Sequence, residues 1–404
     1  MIEYKLNNGI IVQYIKRESK VTSFCIGFNA GAIVEDKNEI GVAHAVEHMV
    51  FKETKHRSEK QINEECDEVF GFHNAMTNYP YVIYYGTTLS TEFEKGFEIY
   101  SDIILNPIFP HKGFKEEIDI ILEELNEWKD DPYQHCEDEL FFNSYKNRRI
   151  KDLIIGLESS IKSITLEDIK RFYNKHYAPE NCVISIVSSL DLEIVAGIIE
   201  KYFAQWNKPY NFIEKQLYEK NKKGIFYKTR SDLNGAKIQY CFPIDFLNEK
   251  EIKLLKIFNL KFGEGISSIL YDDIRTKNGL VYDISSSIKN EKGIKLFTIK
   301  LGTSIHNIDK AIELINNKID QIKNSKEIFD EKTIRKIIKS INLKTELGVE
   351  KSIELAKKMT THKIMYNSVE NIFDEFNDIN VNENMILNVI NKVLKSPSIQ
   401  VLKP

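Results

Sequence analysis

The chain reads as an α+β protein of two similar domains, each a mainly antiparallel sheet with helices packed on one face. Three observations lead there. Short apolar runs alternate with amphipathic helical stretches in both halves. Several of the gaps between apolar runs have hairpin length, which favours antiparallel neighbours. The pattern also stops once, around Trp206-Asn207-Lys208-Pro209-Tyr210, and then starts again with strands. This predicts a first domain over 1–208, a polar, Lys-rich linker over 209–223, and a second domain over 224–404. A length of 404 residues agrees, since it exceeds one ordinary domain.

Taken in order, residues 2–15 carry Asn7-Asn8-Gly9 between two apolar runs, which reads as a hairpin turn. Residues 22–34 look like a buried strand, 41–51 and 58–70 like helices, and 81–89 like a strand. Residues 113–129 form a strongly periodic helix. Thr165-Leu166-Glu167-Asp168 opens another with a capping-type start. Residues 182–188 are an apolar strand and 192–204 a helix. In the second half, strands fall at 225–229, 236–242, 280–288 and 294–302. Helices fill 307–323 and 331–358, and the chain ends with a helix at 383–394 and a short strand at 398–402.

Composition narrows the function classes. The chain is 42% hydrophobic and 29% charged, with a net charge of -4, so it lacks the basic balance of a nucleic-acid binder. No stretch reaches 18 uninterrupted apolar residues, which predicts no membrane span, and the N-terminus does not read as a signal peptide. Cys25, Cys66, Cys136, Cys182 and Cys241 are odd in number and lack C-x-x-C spacing. They read as reduced, buried thiols of a cytoplasmic protein, and a cysteine zinc site is not expected.

The central signal is His44-Ala45-Val46-Glu47-His48. On a helix, positions i, i+3 and i+4 share one face. Val42, Ala43, Ala45, Val46, Met49, Val50 and Phe51 make the rest of that helix apolar, so it should be buried. Two imidazoles and a carboxylate on a buried helix need partners, and a metal supplies them. The motif by itself supports two readings equally: a metal site, or histidines satisfied by the core.

A third ligand shifts the balance, because catalytic zinc usually takes three protein ligands and a water. In 113–129, steps of 100° gather Glu116, Asp119, Glu123, Glu127 and Asp130 on one solvated face. Ile118, Ile121, Leu122, Leu125 and Trp128 form the apolar stripe. Glu117 and Glu124 fall at its edge, stacked two turns apart. Half-buried acids need a counter-charge, so Glu124 is read as the ligand and Glu117 as the acid that orients a histidine. One Zn2+ per chain is implied. Glu47, one residue before a ligand, could take a proton from the metal's water.

With these residues in view, Gly41 to Thr54 resembles the signature of the insulinase–pitrilysin metallopeptidases of the inverted H-x-x-E-H type, a family that includes the mitochondrial processing peptidases. The 76-residue step from His48 to Glu124 and the Glu117/Glu124 spacing agree. So do Asn8-Gly9, Gly71, Asn74-Ala75-x-Thr77, Asp130-Asp131-Pro132, Gly263, Gly265, Ser268, Arg275 and Gly279-Leu280-x-Tyr282, so the likeness spans nearly the whole chain. It implies a zinc endopeptidase acting on extended or unstructured peptides, with precursor processing among its uses. Asn74 and Ala75 would sit on an edge strand that pairs with substrate. Pro80 and Val82 depart from the family there. Arg275 and Tyr282 match a pair that binds substrate and steadies the tetrahedral intermediate. In the family, that pair faces the zinc from the opposite half of a dimeric chamber. This implies a homodimer with composite sites, or a heterodimer with a related subunit. A non-catalytic, peptide-binding subunit is the competing reading.

Overall fold

Asn7-Asn8-Gly9 makes the turn its composition predicts. Gly9 takes a φ of +102°, open to glycine and costly for other residues. The Gly9 amide donates to Leu6 O and the Leu6 amide to Ile10 O, both at 2.9 Å. Strands β1 (Ile2–Lys5) and β2 (Ile11–Lys16) then pair antiparallel, with Lys5 opposite Ile11. This computed structural model describes residues 1–211, 218–325, 327–369, 372–373, 376 and 380–404.

The chain continues through β3 (Val21–Phe28), α1 (Val42–Val50), α2 (Glu59–Val69), β4 (Phe70–Thr77) and β5 (Val82–Leu89). Next come α3 (Phe93–Leu105), α4 (Phe114–Asp130), α5 (Pro132–Ser144), α6 (Glu158–Ser163), α7 (Leu166–His176), β6 (Cys182–Ser188) and α8 (Leu192–Phe203). Six strands form one sheet in the order β1-β2-β6-β3-β5-β4, antiparallel except for β2 beside β6. β4 is its edge. The remaining elements are β7 (Gly224–Thr229), β8 (Ala236–Pro243), α9 (Glu249–Phe262), β9 (Val281–Glu291), β10 (Ile294–Thr303), α10 (Ile308–Asn324), α11 (Glu331–Gly348), α12 (Ser352–Tyr366), α13 (Glu383–Val393) and β11 (Ser398–Lys403). Five strands make the second sheet, ordered β7-β11-β8-β10-β9, antiparallel except for β7 beside β11.

Contacts group the chain into two compact units, and neither is one stretch. The first takes Met1–Leu125, Leu153–Gln216 and Glu346–Ile372; the second takes Asn126–Asp152, Leu217–Thr345 and Phe373–Pro404. A cut at the expected linker, 209–223, would therefore remove one segment from each unit. Residues 212–217 of that linker lie outside the described residues.

The transferred segments explain why the central strands are apolar throughout rather than alternating. In β3, Phe24 points toward Phe97 and Tyr100 of α3, with ring centroids 5.5 and 5.3 Å apart. Cys25 points the other way, into a core with Ile83, Tyr85 and Val187 that is closed by Leu355, Ala356 and Met359 of α12. The Thr360 hydroxyl reaches Cys25 O at 3.2 Å and Ser185 Oγ at 2.7 Å. In the second unit, Ile238, Tyr240, Phe242, Phe297 and Ile299 face the large core with α9, α10 and α13. On the opposite face α5 sends Glu137 to Gln239 Nε2 at 2.8 Å, and Asn143 Nδ2 to Gln400 Oε1 at 2.9 Å.

Some elements end earlier than expected. The strand expected over 22–34 stops at Phe28, and a 3-10 turn over Ala32–Val34 follows. Gly31 is the reason. A Cβ there would lie within 2.7 Å of three backbone atoms, Asn78 O, Tyr79 O and Tyr81 N. The next two amides donate to the same turn, Ala32 to Asn78 O and Ile33 to Tyr79 O, at 3.2 and 2.7 Å. Gly31→Ala should therefore cost about 1–3 kcal/mol, because backbone cannot yield as a side chain can. Urea unfolding should show a lower midpoint at unchanged slope. The helix expected over 331–358 is two helices, α11 and α12, broken after Gly348. Pro80 lies in the turn between β4 and β5 rather than within a strand.

Candidate metal centre

Helix α1 is built to be buried. Val42, Ala43, Ala45, Val46, Met49 and Val50 are all buried. Its start is a left-handed Gly41 (φ +92°), whose Cβ would meet Ile155 O at 2.7 Å. The Glu35 carboxylate, 4% exposed, accepts from the amides of Gly41 (3.1 Å) and Ala43 (2.8 Å). It satisfies two donors that the first helical turn leaves unpaired. The same turn geometry leaves His44, Glu47 and His48 on the one face not occupied by core.

Helix α4 brings the acids to that face, and its two-sided character is as expected. Glu116, Asp119, Glu123, Glu127 and Asp130 are exposed, while Ile121 and Leu125 are buried. Glu124 Oε2 lies 3.6 Å from His44 Nε2 and 3.5 Å from His48 Nε2, and the two Nε2 atoms are 3.3 Å apart. Ligand atoms at ~2.0–2.1 Å around a tetrahedral zinc sit ~3.3–3.4 Å from one another. The three donors thus have the spacing and the chemistry, two imidazoles and one carboxylate, that zinc takes. Among the described residues, no other cluster of His, Cys, Asp and Glu draws its donor atoms so close. All five cysteines are free and buried, away from any such role.

Glu117, 7% exposed, hydrogen-bonds His48 Nδ1 at 2.9 Å. A ring tethered at Nδ1 presents Nε2. His44 Nδ1 has no hydrogen-bond partner among the described residues. Glu47 sits beside the donors, with Oε2 accepting from the Thr77 hydroxyl at 2.7 Å. Burial pushes the Glu47 carboxyl above its ordinary value, and the Thr77 hydroxyl and the His48 charge restrain that rise. Burial and the neighbouring His48 push His44 below its ordinary value. Burial also opposes charge on His48, yet Glu117 and Glu124 outweigh it and hold the ring up to about 10. Glu117 itself, despite burial, is drawn down to about 2 by His48 and Lys52.

These residues line an open cavity of about 520 Å3 that also takes in Phe51, Lys52, Asn63, His73 and Tyr100. Asn74 and Ala75 line the same cavity from β4, whose outer edge pairs with no strand among the described residues. Asn74 is exposed and Ala75 half-buried. His73 is half-buried, with Nδ1 3.1 Å from the Tyr100 hydroxyl. Thr77 and Lys52 had no role assigned from sequence. Thr77 carried one signal, its place at the end of the Asn74-Ala75 strand segment.

Arg275 and Tyr282 lie in the second unit and are brought together there. Arg275 Nε donates to Tyr282 O at 2.8 Å, and its guanidinium both stacks 4.7 Å from the Tyr271 ring centroid and bonds the Tyr271 hydroxyl. The segment Tyr271–Lys277 is a π-helix, a wider coil often found at functional positions. Tyr282 is 63% exposed.

Comparison with known proteins places the chain among peptidases of one family. Residues 11–156 match the model of the insulinase family, peptidase family M16, and residues 163–341 match that of the peptidase M16 inactive domain. His44, Glu47, His48, Glu117 and Glu124 all fall within the first match. An "uncharacterized zinc protease" of Rickettsia felis is 28% identical over 97% of this chain and 94% of its own length. The mitochondrial-processing peptidase subunit beta of Saccharomyces cerevisiae is 31% identical over 49% of this chain and 43% of its own length. In fold, a protease from Helicobacter pylori superposes with a TM-score of 0.88 at 19% identity, covering 100% of this chain and 99% of that one.

Proposed function

This chain belongs to peptidase family M16, the insulinase family, and on that footing we propose that it is a zinc-dependent endopeptidase of extended or unstructured peptides. One observation carries the reading: Nε2 of His44, Nε2 of His48 and Oε2 of Glu124 stand 3.3–3.6 Å apart, with Glu47 beside them. His44, His48 and Glu124 would hold one zinc per chain. When bound there, zinc lowers the pKa of its water from about 15.7 toward about 7 and polarises a carbonyl.

The protein's own groups do the rest. Glu47 takes the attacking water's proton and later gives it to the leaving amine. Thr77 keeps the Glu47 carboxylate in place, and Glu117 keeps the His48 ring in place. The unpaired edge of β4, at Asn74 and Ala75, offers main-chain hydrogen bonds to an extended peptide, which gives affinity with little side-chain selectivity. Arg275 and Tyr282 are donors for the developing oxyanion.

Arg275 and Tyr282 would act on a zinc site of a second copy, in a homodimer with a closed chamber and composite sites. Heterodimerisation with a related subunit is the alternative partnership. Five free thiols fit a cytoplasmic setting, and no helix among the described residues is long and apolar enough to cross a membrane. A second reading, a non-catalytic peptide-binding subunit, draws on the inactive-domain match over 163–341. The intact zinc set favours the enzyme.

Purified protein should contain one zinc per chain and lose peptide cleavage on chelation. A His44→Ala protein mixed with a Tyr282→Phe protein should regain activity after subunit exchange. Metal-free wild type that still cleaves would overturn the zinc dependence, and a mixture with no recovery would overturn composite sites.

A further inference from the structure

We infer that Lys52 is a positioning residue for the metal centre: its ammonium fixes one oxygen of Glu117 so that the other stays on His48. This rests on the zinc reading above and extends it outward by one residue.

The geometry is a chain of three contacts. Lys52 Nζ lies 2.9 Å from Glu117 Oε2 and 2.6 Å from Glu59 Oε1. Glu117 Oε1 lies 2.9 Å from His48 Nδ1. The two oxygens of Glu117 are thus divided between a lysine and a histidine, and neither is left to rotate. Lys52 is itself restrained, with a side chain 13% exposed. Its stem passes Gly113, where a Cβ would stand 3.4 Å from Lys52 Cε. Gly113 has a φ of +84° and directly precedes α4, so the residue that starts the helix also leaves room for the lysine.

Removing the ammonium has a defined consequence. The Glu117 side chain is 10% exposed, and a carboxylate so placed keeps its charge only with compensation. With Lys52 gone, Oε2 faces no cation. The carboxylate then turns toward water or settles wholly on His48, and either change alters how His48 Nε2 is presented. Glu59 differs: its side chain is 49% exposed, so solvent can replace Lys52 as its partner.

Zinc affinity by chelator competition tests this, with Co2+ absorption as a second readout of site geometry. Lys52→Met should weaken zinc binding about tenfold, at the low end of the 10–100-fold range for outer partners of metal ligands. It should also shift the Co2+ visible band. Lys52→Arg should recover most of the affinity, and Glu59→Gln should stay within about threefold of wild type. Glu117→Gln is the reference and should lose at least as much as Lys52→Met. If Glu117→Gln is weakened while Lys52→Met binds as wild type, the inference fails and the zinc reading stands. If Glu59→Gln loses as much as Lys52→Met, the lysine serves general packing instead. A wild-type chain that takes no zinc removes the reading itself, and this inference with it.

Discussion

Glu47→Gln should lower kcat/KM on an unstructured peptide by about 10³-fold, within the usual range for loss of a general base, while zinc content stays at one per chain. The amide matches the carboxylate in shape and can still accept the Thr77 hydroxyl, now 2.7 Å from Oε2. It cannot take a proton from water. The substitution also removes a charge that burial opposes, so thermal stability should hold or rise slightly. Loss of activity with retained metal and undiminished stability is the pattern expected of a reacting group. Steady-state kinetics, metal analysis and a melting curve check it together. Activity within threefold of wild type would remove Glu47 from the reaction.

Asp102→Asn should have the largest effect on stability. Asp102 is 4% exposed and accepts at both oxygens: Thr54 Oγ1 at 2.6 Å and Arg57 Nη1 at 3.0 Å on one, His56 Nδ1 at 2.6 Å and Asn106 Nδ2 at 2.9 Å on the other. The amide keeps the shape but loses the charge and turns a donor toward donors. Breaking one side of a buried ion pair costs about 3–5 kcal/mol. Arg57 keeps Glu98 and Glu65, so about 2–3 kcal/mol is expected, a midpoint shift of about 5 °C.

The pH dependence has a fixed sign. Burial alone would raise the Asp102 carboxyl, but Thr54, His56, Arg57 and Asn106 together hold it below its ordinary value. Its contribution is therefore complete above the unfolded value of about 3.9 and disappears as pH falls through the lower folded value. The gap between wild type and Asp102→Asn should be constant from pH 5 to 8 and narrow below about pH 4. A gap that widens in acid would show that Asp102 is neutral in the folded protein.

Much of this was legible in the sequence because it depends on neighbours along the chain. The Asn7-Asn8-Gly9 turn and the Thr165/Asp168 capping box are local, and both formed as expected. The faces of α4 are local too, so Glu117 and Glu124 could be separated from the solvated acids. Helix α3 was not legible, because Gly96 interrupts its first turn. That glycine is needed where a Cβ would crowd Thr88 Cγ2 and Phe70. β4 was expected as an edge strand only through family likeness, since Phe-Gly-Phe-His-Asn-Ala-Met-Thr does not alternate cleanly. Lys52 and Thr77 were missed because their partners are 65 and 30 residues away. Neither α5 nor α12 carries a clean apolar stripe, so periodicity does not single out a buried face. It cannot say which sheet each one covers.

That last assignment has a consequence for biogenesis. A ribosome delivers residues 1–208 well before Ser352–Tyr366 exists. Until that helix arrives, the side of the sheet bearing Cys25, Ile83, Tyr85 and Val187 has no lid. A truncated N-terminal fragment therefore emerges greasy and prone to clump, even though it carries His44, His48 and Glu124. Synthesis must therefore pass Tyr366 before both faces of that sheet can be covered.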